Sequence, residues 1–261
     1  MKLAVFSDIH GNLVALDAVI ADVKAIDDVD TVWVLGDLAA FGPRPSECIQ
    51  RLRDLQQSFG EGKCHIIGGN TERYLVTDER SEMPIIDDEQ KFNKLVEARS
   101  TINLLLNWNL SQLSWDDYQF LSKIIGREVS LNVKGYGRVV GYHAIPGDDW
   151  TVLTMNTPEE EASDYMLDRE GRLGIGGHIH RQMDRNLNGN SSISRIVNVG
   201  SVGLSFDMPG KAQWGLFTFA DGDVNIDFRA VLYDVDAAIA DLETTNCPRP
   251  EWFTGRVRSG A

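Results

Sequence analysis

Short apolar runs alternate with amphipathic segments through the first 75 residues of the chain. The runs 3–7, 31–35 and 64–67 have the length and composition of buried strands. Between them, apolar residues recur at helical spacing after Asn12, a good N-cap, and from Ser46 to Leu55. Repeated strand–helix units of this kind predict a parallel sheet with right-handed crossovers, so the pattern favours the α/β class.

A mainly helical stretch at about 87–125 interrupts this alternation. Its apolar positions predict two helices, and Ser114 is expected to cap the second of them. The stretch is only about 40 residues long, which is below the usual size of an independent domain. We therefore expect a helical insertion within a single domain that spans residues 1–247.

The second half of the chain is richer in strands. The expected strands are 128–133, 137–143, 173–176, 193–199, and a hairpin of 214–220 with 224–232. A last helix is expected at 235–242. We expect residues 248–261 to form a poorly ordered C-terminal tail.

The charge balance narrows the function classes. The 261 residues include 25 Lys and Arg against 39 Asp and Glu, a formal net charge of −14, which argues against a duplex-binding surface. No apolar run approaches the ~20 residues of a membrane span, and the three cysteines have neither disulfide nor zinc-knuckle spacing. We therefore expect a cytoplasmic protein that binds neither membrane nor duplex nucleic acid, and its oligomeric state stays open.

Polar side chains that could bind a metal follow the expected strands where each strand ends. Loops at the carboxyl ends of strands in an open α/β sheet can converge on one place. Each such residue alone is better explained as a turn, a helix cap or a solvated side chain. Four of the five histidines lie at these positions, however, which chance placement rarely produces. The full set is Asp8, His10, Asp37, Asn70, His143, His178 and His180.

The donor types indicate a pair of divalent ions. Imidazole, carboxylate and amide donors suit Mn, Fe, Co, Zn or Ni. Seven donors are too many for one ion and suit two that share a carboxylate. Two ions (+4), the carboxylates of Asp8 and Asp37 (−2) and one hydroxide (−1) leave a formal charge of about +1, which attracts phosphate. Two such ions activate a bridging water and stabilise both oxygens of an in-line displacement.

Several motifs together resemble one known family. They are Asp8-Ile9-His10-Gly11-Asn12, Gly36-Asp37, Gly69-Asn70-Thr71-Glu72, His143 and Gly177-His178-Ile179-His180. In this order they resemble the signature of the calcineurin-like metallophosphoesterase superfamily, over at least residues 3–204. The loop 38–43 and the segment 198–203 are similar to the small prokaryotic phosphoesterase branch of that superfamily.

The resemblance implies a four-layer α/β/β/α sandwich, with two mixed sheets flanked by helices. It implies that one ion is held by Asp8, His10, Asp37 and His180. It implies that a second is held by Asp37, Asn70, His143 and His178, so that Asp37 bridges the two. The implied activity is that of a dinuclear metal-dependent phosphoesterase, in which a metal-bridging hydroxide attacks phosphorus and Asp37, Asn70 and His143 take part in catalysis.

One departure from the family pattern bears on the substrate. Many members have a histidine where this chain has Thr71, and a hydroxyl cannot deliver a proton at neutral pH as an imidazole can. Phosphodiesters and nucleotide or dinucleotide polyphosphates are therefore favoured over alkyl monoesters, although small phosphomonoesters stay open. Asn12 and Arg73 are candidate contacts to this small phosphorylated substrate, with helix capping and an ion pair as the plainer roles. The alternative function is a catalytically weak metal-binding scaffold on the same fold.

Overall fold

Ten strands and eight helices are assigned in the computed structural model, which describes residues 1–80 and 84–260. In chain order they are β1 (Lys2–Phe6), α1 (Leu13–Lys24), β2 (Thr31–Leu35), α2 (Pro45–Phe59), β3 (Cys64–Ile67), α3 (Asn70–Thr77), α4 (Glu89–Gln112), α5 (Trp115–Ile124), β4 (Val129–Val133), β5 (Gly137–Gly141), α6 (Glu159–Asp164), β6 (Leu173–Gly176), β7 (Gln182–Asn186), β8 (Arg195–Val199), β9 (Lys211–Ala220), β10 (Asp223–Leu232), α7 (Val235–Thr245) and α8 (Pro250–Ser259). None of these helices is both long and apolar enough to cross a membrane.

The strands form two mixed five-stranded sheets. The first has the order β10-β9-β1-β2-β3, in which β1, β2 and β3 are parallel and β9 and β10 run antiparallel. The second has the order β4-β5-β6-β8-β7, in which β5, β6 and β8 are parallel and the two edge strands are antiparallel. This arrangement confirms the expected α/β sandwich of two mixed sheets flanked by helices.

Strand β1 shows why the four residues from Leu3 to Phe6 are all apolar. Successive side chains of a strand point to opposite faces of the sheet. Leu3 and Val5 pack in the core between the two sheets, whereas Ala4 and Phe6 pack in the core between the first sheet and its helices. A strand buried on both faces therefore has no polar position, as parallel sheets require.

Two helices lie in the segment for which the sequence predicts them, and their description as an insertion within one domain stays a prediction. Helices α4 and α5 occupy this segment, and α3 packs against both of them. The Ser114 hydroxyl caps α5 by accepting from the N–H of Asp117, whose carboxylate accepts from the N–H of Ser114 in return. The two helices thus pack on α3, the helix that follows β3.

The C-terminal segment differs from the expectation of a poorly ordered tail. Residues Pro250–Ser259 form α8, which begins with proline at its first turn. Phe253 and Val257, four residues apart, are buried in a cluster with Leu105 of α4 and Leu242 of α7. The prediction of disorder was wrong because this apolar pair, although at helical spacing, is too short to stand out in a polar segment.

Candidate metal centre

The seven predicted metal ligands lie together at the carboxyl ends of strands from both sheets. Asp8 and His10 follow β1, Asp37 follows β2, and Asn70 is the first residue of α3. His143 follows β5, and His178 and His180 follow β6. Every one of these side chains is buried except that of His178, which is partly exposed. The strand ends of the two sheets therefore meet at one site, as the sequence pattern predicts.

A first group of possible ligands consists of Asp8, His10 and His180. One ligand atom of each lies within 4.8 Å of the others. Nε2 of His180 is 3.3 Å from Oδ1 of Asp8, and Nε2 of His10 is 3.9 Å from the same oxygen. The other oxygen of Asp8 accepts from the backbone N–H of His178 at 2.8 Å, so the carboxylate is held in one orientation.

A second group consists of Asp37, His143 and His178, and one ligand atom of each again lies within 4.8 Å of the others. Nε2 of His143 lies 3.4 Å from Oδ1 of Asp37 and 3.0 Å from Oδ1 of Asn70. The side-chain oxygen of Asn70 is therefore close enough to add a neutral donor to this group.

Asp37 reaches both groups. Its Oδ1 faces His143, as described, and its Oδ2 lies 3.7 Å from Nε2 of His10. Its two oxygens thus face opposite halves of the site. This is the geometry expected of a carboxylate shared between two cations.

Backbone carbonyls determine which ring nitrogen of each histidine is free. A carbonyl oxygen only accepts hydrogen bonds, so the ring nitrogen that faces it carries the proton. In three histidines this nitrogen is Nδ1, which leaves Nε2 as the free donor atom: His10 bonds to Ala40 at 3.2 Å, His143 to Leu35 at 2.7 Å, and His180 to Leu204 at 2.8 Å. Carbonyl partners of this kind orient metal-binding imidazoles.

His178 is oriented the opposite way. Its Nε2 donates to the carbonyl oxygen of Trp150 at 2.9 Å, which leaves Nδ1 as the nitrogen free to bind a metal. The loop that carries Trp150 therefore positions a ligand of the second group.

The chemistry of the donors fits a cation at the first group. Nε2 of His10 and Nε2 of His180 are 3.0 Å apart, and both have committed their ring proton elsewhere. Oδ1 of Asp8, next to them, is buried and has no hydrogen-bond partner among residues 1–80 and 84–260. Burial, together with neighbouring His180, holds the pKa of His10 well below its usual range, so protonation does not relieve this contact. Three converging lone pairs of this kind call for a divalent cation.

The backbone around the site is strained. Asp8, His10, Asp37, His178 and His180 all have positive φ angles between 50° and 73°. Residues other than glycine adopt this left-handed conformation at a cost of order 1–3 kcal/mol, and such residues cluster at functional sites. Five of the seven predicted ligands share it, which indicates that the loops are shaped for the site and not for local stability.

Glu72 is a buried residue whose role the sequence analysis did not assign. Its carboxylate accepts from the backbone N–H groups of Asp37 at 2.8 Å, Leu38 at 2.7 Å and Gly69 at 2.9 Å. Burial and the nearby charge of Asp37 raise the pKa of Glu72. Glu72 thereby ties the loop after β2 to the loop after β3. The sequence signals were its place in the motif Gly69-Asn70-Thr71-Glu72 and its position two residues after Asn70, in the first turn of α3.

The sequence model of the calcineurin-like phosphoesterase family matches residues 1–182, which is more than two-thirds of the chain. The chain belongs to this family. It is a phosphoesterase, a hydrolase with two groups of residues that could hold metal ions.

Three similar proteins extend this result. The phosphoesterase is 28% identical to an uncharacterized protein of Methanocaldococcus jannaschii, over 99% of this chain and 98% of that one. It is 38% identical to the symmetrical bis(5'-nucleosyl)-tetraphosphatase of Pectobacterium atrosepticum over 76 residues, which are 29% of this chain and 25% of that one. Its fold is similar to the crystal structure of a metallophosphoesterase from Sphaerobacter thermophilus, with a TM-score of 0.73, 23% identity and full coverage of both chains.

The two candidate substrate contacts of the phosphoesterase have different surroundings. Asn12 is buried, and its side chain accepts from the N–H of Ala15 and donates to the carbonyl of Gly203. Its amide is therefore used to cap α1 and to hold a neighbouring loop, and a substrate contact by Asn12 stays a prediction. Arg73 is partly buried near the site, but its guanidinium forms two hydrogen bonds with Asp149 and one with Glu79. A substrate contact by Arg73 stays a prediction.

Proposed function

We propose that this phosphoesterase binds two divalent metal ions and hydrolyses small substrates with a phosphodiester or phosphoanhydride bond. Asp8, His10 and His180 would hold one ion, and Asn70, His143 and His178 the other, with Asp37 shared between them. The observation that carries this proposal is the position of Asp37, whose two oxygens lie 3.7 Å from Nε2 of His10 and 3.4 Å from Nε2 of His143. Mn, Fe, Co, Zn and Ni all suit these donors.

The chain contributes ligand orientation to the reaction. When bound, a pair of divalent ions supplies a nucleophilic water at neutral pH and stabilises the charge of the phosphoryl oxygens. The carbonyls of Ala40, Leu35 and Leu204 keep three imidazoles in the form that binds metal. Thr71 holds Asp37 by donating both its hydroxyl and its N–H to Oδ1. The protein residues are thus set in place before substrate arrives.

The residue at position 71 limits the leaving group. Position 71 has a threonine and no imidazole that could protonate the departing oxygen. The Thr71 hydroxyl is itself buried and donates to Asp37. Substrates whose leaving group departs without protonation, such as aryl diesters and phosphoanhydrides, are therefore favoured. Alkyl monoesters are the least favoured class.

An adjoining cavity gives space for a large leaving group. It has a volume of about 700 Å³ and shares Asn70 and Phe41 with the metal site. Side chains of α4, including Ile102 and Leu106, and the ring of Trp150 line it. An apolar, partly aromatic wall of this kind suits a nucleoside. The local similarity to a symmetrical bis(5'-nucleosyl)-tetraphosphatase supports nucleoside polyphosphates as the first substrates to test.

Hydrolysis assays on metal-loaded protein test the proposal. Metal-free protein is loaded with Mn²⁺ and assayed with bis(p-nitrophenyl) phosphate, the alkyl monoester glycerol 2-phosphate, and diadenosine tetraphosphate. We expect the diester and the polyphosphate to be hydrolysed faster than the monoester. Asp37→Asn should abolish the activity, whereas Asp164→Asn, an exposed carboxylate on α6, should retain it.

The scaffold alternative predicts a different result in the same assays. A scaffold would bind metal without hydrolysing any of the three substrates at a rate above free Mn²⁺. That outcome, obtained with two ions bound, would overturn the enzymatic proposal. A cytoplasmic location stays a prediction from the sequence.

A further inference from the structure

A residue of the C-terminal helix lies in the wall of the metal site. The site opens into a cavity of about 220 Å³ whose surface includes His10, Asp37, Asn70, His178 and His180. Trp252 and Arg256, one turn apart on α8, line the same cavity. The helix that buries Phe253 and Val257 in the core therefore places a cation beside the predicted ligands.

The Arg256 guanidinium is held by aromatic stacking. Its Cζ lies 3.6 Å from the centre of the Trp252 ring. Trp252 in turn packs on Phe41 at 5.1 Å, and Phe41 stacks on the imidazole of His10 at 5.5 Å between ring centres. A guanidinium stacked in this way keeps its hydrogen-bond donors in a defined plane. The stack thus connects Arg256 to His10 of the metal site through the rings of Trp252 and Phe41.

Within the part of the chain that the structure describes, Arg256 differs from Arg73 and Arg44 in its lack of a counter-ion. Arg73 pairs with Asp149 and Glu79, and Arg44 pairs with Asp241 and Glu47. Among residues 1–80 and 84–260, Arg256 pairs with no carboxylate, and its one hydrogen bond goes to the carbonyl of Trp252 at 3.2 Å. Burial without a nearby anion lowers its pKa. A half-buried cation of this kind is complementary to an anion that enters the cavity.

We propose that Arg256 is a substrate-binding residue that donates hydrogen bonds to the phosphate oxygens of the substrate. The inference rests on the proposed function, since it places a phosphate at the metal site. The planar guanidinium matches two phosphate oxygens at once. Arg256 supplies a positive charge to the phosphoryl group from α8. Thr71 is neutral, and the charge of Arg73 is already balanced by Asp149 and Glu79. The C-terminal segment is thereby part of the substrate site.

Inorganic phosphate, which carries the phosphoryl oxygens without a leaving group, is the probe for this proposal. Its affinity for the Mn²⁺-loaded protein is measured by isothermal titration calorimetry in the wild type, Arg256→Met, Arg256→Lys and Arg258→Met. Arg258 is the matched control, because it lies on the same helix, is 59% exposed and pairs with Asp236. Bound Mn²⁺ and the melting temperature are measured for each variant.

We expect Arg256→Met to weaken phosphate binding about tenfold or more, with wild-type metal content. Arg256→Lys should recover part of the loss, because it restores the charge without the planar donor pair. Arg258→Met should bind phosphate as the wild type does. If Arg256→Met lowers the metal content in step with phosphate affinity, its role is structural and the proposal is overturned.

The same experiment separates failure of this proposal from failure of the proposed function. Suppose that the wild type hydrolyses bis(p-nitrophenyl) phosphate and that Arg256→Met binds phosphate with equal affinity. This result overturns only the role of Arg256. A metal-loaded wild type that neither hydrolyses the diester nor binds phosphate overturns both.

Discussion

The hydroxyl of Thr71 donates to Oδ1 of Asp37 at 2.9 Å, and the N–H of Thr71 donates to the same oxygen at 3.0 Å. This oxygen is also the one that faces His143. Thr71, which replaces the histidine found in many family members, therefore has a role of its own. It fixes the carboxylate of Asp37, which is proposed to bind both metal ions. Outer partners of this type typically change metal affinity 10–100-fold when they are removed.

Thr71→Val tests this role, because valine keeps the shape of threonine and removes only the hydroxyl. We expect about tenfold weaker Mn²⁺ binding in calorimetric titrations. Thr77→Val, on the exposed surface of the same helix, is the control and should bind Mn²⁺ as the wild type does. Equal affinity in the two variants would show that the hydroxyl does not position Asp37.

Glu72→Gln tests the link between the two ligand loops. Each oxygen of the Glu72 carboxylate accepts from backbone N–H groups. In glutamine an NH₂ group replaces one of these oxygens, so it would face backbone N–H donors and leave them without an acceptor. We expect the free energy of unfolding of the metal-free protein to fall by about 2–3 kcal/mol, measured by urea denaturation. Glu61→Gln, on an exposed turn, should have no effect. An unchanged stability of Glu72→Gln would exclude this function of the carboxylate.

Asp22 connects α1 to the β9–β10 hairpin at a distance from the metal site. It accepts from Arg229 on both oxygens and from the indole N–H of Trp214. Its hydrogen bonds with Arg229 lower its pKa from 3.8. The stabilisation is therefore complete above about pH 3.8 and is lost as the pH falls through the lower value of the folded state.

We expect Asp22→Asn to reduce the stability of the metal-free protein by about 1–2 kcal/mol at pH 7. The difference from the wild type should shrink below pH 3.8, where the wild-type carboxylate also becomes protonated. Thermal unfolding of both proteins from pH 7 to pH 3 measures this. A stability difference that does not change with pH would contradict the assigned role of the charge.

Phe253→Ala tests whether α8 is an integral part of the fold. Phe253 is fully buried in a cluster with Leu105 and Leu242. We expect a loss of about 3–4 kcal/mol in the free energy of unfolding, in a single transition. Glu251→Ala, an exposed residue of the same helix, should be close to neutral. If Phe253→Ala is as stable as the wild type, α8 does not contribute to the core, and the expectation of a poorly ordered tail would be correct.

The sequence predicted the strands best where the strand is buried and its residues form a short apolar run. The runs at 31–35, 64–67 and 173–176 are observed with the predicted bounds. The runs at 31–35 and 173–176 are buried at every position, and 64–67 is buried at all positions but His65, so each stands out as a short apolar run. Strand β7 was missed because its residues Gln182–Asn186 are mostly polar. A polar edge strand does not differ in pattern from a loop. Asn70, interpreted as a turn residue by itself, begins α3 directly.

The donor set could be predicted because the ends of strands converge by topology, whatever their separation along the chain. The partners that hold those donors could not. Carbonyl contacts such as that of His180 with Leu204, and the fourfold use of the Glu72 carboxylate, depend on loop paths that no local pattern records. Arg256 lies 76 positions beyond His180, in a segment whose order depends on tertiary packing.

Anomalous scattering from a Mn²⁺-soaked crystal tests the proposed centre most directly. We predict two Mn²⁺ peaks about 3.5–4 Å apart, both in contact with Asp37. One should also contact His10 and His180, and the other His143 and His178. A single peak, or two peaks of which only one touches Asp37, would contradict the dinuclear site.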